Sequence, residues 1–148
     1  MKLPFLVLLM QGIPEEISLV TLAFVIAKAD LNWKKIVFGG AFLACSMYVI
    51  RLLPISFGVH TIVLILLLII FVKVLGKVQD LSKAILAGLI SMLALVTTEI
   101  IILTALMSIL GISEQEFINN LALRILLPLP QVFVMFFIAF VIYKVRKK

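Results

Sequence analysis

The chain has 148 residues, is 65% hydrophobic and 14% charged, and carries a net charge of +6 with a mean hydropathy of +1.35. Soluble domains run at about 45–50% apolar and about 25% charged residues, and a chain this short has too little interior to hide such an excess. An ordinary soluble domain is therefore excluded, and so is a β-barrel, whose short alternating segments are absent. The apolar runs are about 20 residues long, the length of a bilayer crossing, so the expected class is an all-α polytopic integral membrane protein embedded in a lipid bilayer.

The positive charge is not a nucleic-acid signal. Lys and Arg fall mainly at the ends of the apolar runs, and Lys144, Arg146, Lys147 and Lys148 close the chain, a pattern that reports membrane orientation. No nucleic-acid partner is expected. The lone Cys45 excludes an internal disulfide and a paired-cysteine redox or metal site; it is read as a packing residue.

In chain order, Lys2 and the apolar run Leu3–Met10 superficially resemble a secretory leader. The following Gln11-Gly12-Ile13-Pro14-Glu15-Glu16 is a poor small-residue cleavage site, so residues 3–12 are expected to be retained, as a separate short helix or as the outer part of the first span. That span is placed over residues 14–29. Pro14 suits a first helical turn, and Glu15 and Glu16 then sit beside the positive end of the helix dipole. A second span is expected over 36–53, where Gly39, Gly40 and Ala44 allow close helix contact. A third is expected over 57–75. The fourth, over 81–110, is longer than a straight crossing needs and is stopped at Gly111. In "ISEQEFINNLALRI", Ser113 and Glu116 form a capping-box pattern for an amphipathic helix over about 113–123. The fifth span is placed over 125–143, near Pro128 and Pro130. Residues 1–148 read as one transmembrane helical domain.

Lys28, Lys34 and Lys35 lie between the first two spans, and Lys73, Lys77 and Lys83 surround the turn between the third and fourth. Together with the basic tail they predict five spans, N-terminus out and C-terminus in. With a rise of about 1.5 Å per residue, Glu99 lies about 24 Å beyond Lys83, in the outer half of the membrane. Glu15, Glu16, Arg51, His60, Thr98 and Gln131 fall at similar depth. Each has a bland role as well: a cap for Glu15 and Glu16, snorkelling for Arg51, a local hydrogen bond for His60 or Thr98. A carboxylate within an apolar span, as at Glu99, is rare unless paired or functional. These seven residues are therefore the candidate ligand-binding set, lining an outward-facing polar pocket suited to a cation, a hydrogen-bond donor or a proton. The inner stretches "LILLLIIFV" and "FVMFFIAFVIY" carry almost no polar atoms. No catalytic residue, cofactor or metal is expected: HExxH, GxSxG and phosphate-loop patterns are absent, and one histidine cannot build a histidine-rich metal site.

Three stretches, "QGIPEEISLVTLAFVIA", "RLLPISFGVHTI" and "RILLPLPQVF", resemble the membrane-embedded N-terminal regions of Firmicutes sensor histidine kinases of the Agr-like or GHKL type, and related small membrane proteins of unknown function. The resemblance covers nearly the whole chain and is most recognisable at Ile13, Pro14 and Glu15. It implies reception of a small or peptide signal at the outer face and output through the C-terminal helix to a cytoplasmic signalling partner. After Tyr143 the sequence holds only KVRKK, so the chain is expected to be a receptor module from a longer protein or a stand-alone relative without kinase activity. The other reading is a small transport or membrane-complex assembly subunit. A homo-oligomer formed through Gly39, Gly40 and Ala44 is compatible with both.

Overall fold

A computed structural model describes residues 10, 12–29, 32–53, 57–127 and 129–147. Among them the fold is all-helical. Four long helices and one shorter one form the bundle: α1 (Ile13–Ile26), α2 (Trp33–Leu52), α3 (Phe57–Val74), α4 (Leu81–Leu110) and α7 (Leu129–Lys147). Two short helices, α5 (Glu114–Asn119) and α6 (Leu121–Leu126), bridge α4 to α7. Two segments, Trp33–Ile50 and Leu81–Leu110, are long and apolar enough to cross a membrane, with mean hydropathies of 1.3 and 2.3; Gly58–Val74 and Leu129–Val145 are shorter apolar helices.

Local chemistry sets the helix ends. The Asn32 side chain accepts a hydrogen bond from the Lys34 N–H and starts α2, and Asp80 does the same for α4 through the Ser82 N–H at 2.9 Å. Helix α4 stops at Gly111, whose φ of 68° is the left-handed conformation that glycine adopts without penalty. Ser113 caps α5 through the Glu116 N–H. One expectation fails here. The predicted amphipathic helix over 113–123 is broken at Asn120, which is extended (φ −107°, ψ 111°), and its side chain caps a new helix through the Ala122 N–H. Asn competes for backbone hydrogen bonds and favours caps over helix interiors. The last helix also begins at Leu129 rather than at 125 and runs on to Lys147. The first ends at Ile26 rather than 29, in a turn with Lys28 at φ 59°. The expectations for residues 3–9 and for the loop at 54–56 fall outside the described residues.

Helix α1 is the central element and packs against α2, α3, α4 and α7. Leu19, Val20, Ala23 and Phe24 are fully buried on it. A helix that is apolar all round belongs in an interior, and only 14 residues are needed to fill this one. Close approach to α2 happens at Gly40: a Cβ built there would lie 2.7 Å from the Ile17 α-carbon. The two backbones touch, and only glycine fits. Gly39 is roomier, with Leu75, Phe71 and Val20 side-chain atoms 3.6–3.8 Å from such a Cβ. Ala44 is buried. A second small-residue stripe, Ala84, Ala87, Gly88 and Ser91, is buried along α4. Gly88 meets Ile69 of α3, 2.8 Å from the same construction.

The surface inverts the soluble rule. Ile62, Leu66, Ile70 and Val74 recur every fourth residue along α3, all exposed. Phe38, Phe42 and Val49 form an exposed stripe on α2, and Phe133, Phe137 and Phe140 one on α7. Cys45, read from the sequence as a packing residue, is exposed. Its spacing from Phe42 and Val49 places it on the apolar outer stripe, where a small thiol is as acceptable as any hydrocarbon.

Candidate functional site

The buried polar or charged side chains among the described residues are Glu16, Ser18 and Thr21 on α1, Ser91 on α4 and Gln131 on α7. These three helices pack on one another and form a seam, and all five of these groups belong to them.

Within the seam the backbone absorbs most hydroxyls. The Ser18 hydroxyl donates to the Glu15 carbonyl at 2.6 Å, and Thr21 donates to Ile17 at 2.7 Å. Such bonds let a hydroxyl enter an apolar interior without an orphaned donor. On α4, Thr98 donates to the carbonyls of Ala94 (2.7 Å) and Leu95 (3.0 Å). The Gln131 amide reaches across from α7 and donates to that same Leu95 carbonyl at 3.1 Å. One carbonyl thus receives side chains from two helices, and Gln131, only 1% exposed, joins the first turn of α7 to the middle of α4. Ser91, one turn earlier on the buried face of α4, is fully buried, and its hydroxyl oxygen has no hydrogen-bond partner among the described residues. A buried polar atom left in that state costs about 1–3 kcal/mol.

The predicted site residues divide as follows. Thr98 and Gln131 converge on the Leu95 carbonyl. Glu16 is buried at the start of α1, while Glu15, His60, Thr98 and Glu99 are half-buried. Glu15, Glu16, His60 and Glu99 are each engaged in an interaction. Glu99 lies one turn beyond Leu95, so it continues the face that carries Ser91 and the shared carbonyl. His60 is in the first turn of α3. The Gly88–Ile69 contact sets the antiparallel register of α3 and α4, and extending it residue for residue puts His60 level with about Thr97. Arg51 lies in the last turn of α2, and its side chain falls outside what is described. Gly39 and Gly40 line the contacts of α2 with its neighbours, and Ala44 is buried on the same helix.

Ser18, Thr21 and Ser91 were not among the predicted site residues. The signal for them was spacing: Ser18 is three residues from Glu15, and Ser91 closes the Ala84–Ala87–Gly88 stripe at the helical repeat. At the connection between α4 and α7 an open depression of about 690 Å³ is lined by Ser113, Gln115, Glu116, Asn119, Asn120 and Leu123. Among the described residues, no three His, Cys, Asp or Glu side chains are grouped to hold a metal ion.

The fold and the seam define the class: an all-helical bundle with an apolar exterior, two helices able to cross a membrane, and its buried polar groups on three mutually packed helices. No family model, curated protein or solved structure matches the chain.

Proposed function

We propose that the chain is a multi-pass protein of the bacterial cytoplasmic membrane, with five spans, N-terminus out and C-terminus in. In this reading it is a sensor or receptor module that takes a small or peptide signal in an outward-facing polar pocket. The Gln131–Leu95 hydrogen bond carries the proposal, because it couples the pocket's polar groups directly to the start of α7, the helix that leads to the basic tail. A ligand group that bonds the Ser91 hydroxyl, or competes with Gln131 for the shared carbonyl, would shift α7 against α4. The membrane placement is supported by the apolar stripes on α2, α3 and α7: soluble monomers rarely expose contiguous apolar patches beyond a few hundred Å².

A transport or assembly role is the alternative. It needs a polar path to the inner face. The interior beyond the seam is built from Phe24, Leu68, Val72, Ala84, Met135 and Ala139, all fully or almost fully buried, and this packing favours sensing.

Topology is tested by cysteine labelling in a Cys45→Ser background. A cysteine at Gln115 should react with an impermeant reagent from outside and one at Lys77 only from inside; the reverse result overturns the orientation. Reception is tested with the purified protein and conditioned medium from cells that express it. The medium should raise the unfolding temperature, and Glu99→Gln and Gln131→Leu should each abolish that rise while still inserting. A rise that survives both substitutions contradicts the pocket. Uptake of the same component into proteoliposomes would support transport instead.

A further inference from the structure

The end of the bundle opposite the seam carries a second polar feature. Helix α1 runs into a turn with Lys28 at φ 59°, and α3 runs into a turn with Lys77 at φ 55°. These are the only non-glycine residues at positive φ among those described. Left-handed backbone is unfavourable for a side chain with a Cβ, and glycine adopts it freely. Both turns nevertheless use lysine, and both lysines are exposed.

The two turns are locked side by side. A Cβ built on Gly76 would lie 2.7 Å from the Cβ of Ala29. With 3.8 Å between consecutive α-carbons, Lys28 and Lys77 then have α-carbons at most about 13 Å apart. Two flexible four-carbon stems bridge that gap easily. The framework around them is fixed: the Lys73 ammonium donates to the Gln79 carbonyl at 2.9 Å, and the Asp80 carboxylate is occupied in capping α4. Lys34 and Lys83 are also exposed at this end.

We propose that Lys28 and Lys77, held together on these two turns, bind the phosphate of an anionic lipid headgroup. The proposal rests on the membrane placement above but not on the signal pocket. Charge complementarity selects the ligand: a polybasic rim next to the hydrocarbon is attracted to anionic headgroups. The left-handed turns add a reason for the placement. After a helix ends in such a turn, the next side chain leaves the bundle axis rather than continuing the helix surface. Here both lysines are exposed at the C-terminal ends of α1 and α3, where a cation offsets the negative pole of the helix dipole that would otherwise repel a phosphate.

Glycine substitution separates charge from backbone. The full-length chain is purified in neutral detergent, and its unfolding temperature is read with added phosphatidylglycerol, phosphatidylcholine or inorganic phosphate. Phosphatidylglycerol should raise it by several degrees and the other two should not. In Lys28→Gly/Lys77→Gly the unfolding temperature with phosphatidylcholine should equal or exceed that of the parent, because the turns relax, while the phosphatidylglycerol shift falls to less than half. Lys28→Arg/Lys77→Arg should keep the shift. A full shift in the glycine variant overturns the proposal, as does an equal shift with phosphatidylcholine. An equal shift with inorganic phosphate overturns the lipid as the source. Loss of the shift in the arginine variant also contradicts it, since the charge is retained there.

Discussion

Helices α1 and α4 are both strongly apolar, and the fold treats them in opposite ways. Helix α1 has 14 residues, nine of them buried. It occupies the centre, with glutamate, serine and threonine among those nine. Helix α4 has 30 residues, yet Leu93, Ile100, Ile101 and Ile109 are all more than half exposed, Ile109 at 79%. Its buried face is the small-residue stripe Ala84, Ala87, Gly88 and Ser91, continued by Leu95. Hydrophobicity therefore does not decide what is inside. Where the surroundings are as apolar as leucine, burial follows packing and hydrogen bonding: small residues admit a neighbouring backbone, and hydroxyls find carbonyls.

That contrast can be broken at graded cost. The largest effect is expected at Gly40→Leu, since the new side chain would enter the Ile17 backbone. Overpacking there should cost about 3 kcal/mol in an SDS-unfolding titration. Gly39→Ala, one residue away in ordinary contact distance, should be nearly silent. Equal losses at the two glycines would mean that α1 and α2 do not touch at Gly40.

Next comes Gln131→Leu. Interhelical hydrogen bonds in membranes average about 0.6 kcal/mol and reach about 1.7 kcal/mol. The Leu95 carbonyl keeps its Thr98 donor, so the loss in unfolding free energy should fall in that range. A double-mutant cycle with Thr98→Val would show whether the two donors are coupled through their common acceptor.

Gly88→Ala should be milder than Gly40→Leu, because the atom it meets is the Cγ1 of the Ile69 side chain rather than backbone; a loss of about 1 kcal/mol is expected in the same titration. The smallest effect is expected at Ile100→Ala, on the exposed face of α4. In detergent it should change the unfolding free energy by less than about 0.5 kcal/mol. A loss comparable to that of a buried leucine would place Ile100 in an interface.

Much of the helix layout was legible in the sequence, because long apolar runs punctuated by Asn32, Asp80 and Gly111 carry both the length and the capping chemistry. The break at Asn120 was not. Asn reads equally as a tolerated position on a polar helix and as the cap of a new one, and only the path between α4 and α7 decides. The central position of α1 was also hidden, since a run that is apolar on every face has no periodicity to say which neighbours surround it. Of the candidate site, Glu16 and Gln131 stood out as polar residues in apolar runs. Ser91 did not, because a serine that completes an Ala–Gly stripe looks like one more small packing residue. Lys28 and Lys77 read only as orientation signals; their left-handed backbone is a property of the turns.

The most direct test of the account is the accessibility of nitroxide labels on the full-length protein in liposomes, in the Cys45→Ser background. Labels at Leu93 and Phe137 should collide readily with oxygen dissolved in the hydrocarbon and hardly at all with a water-soluble nickel complex. A label at Ala87, on the buried small-residue face of α4, should be shielded from both. High accessibility of Leu93 or Phe137 to the water-soluble reagent, or of Ala87 to dissolved oxygen, would contradict a bundle that turns its apolar faces to lipid and its polar seam inward.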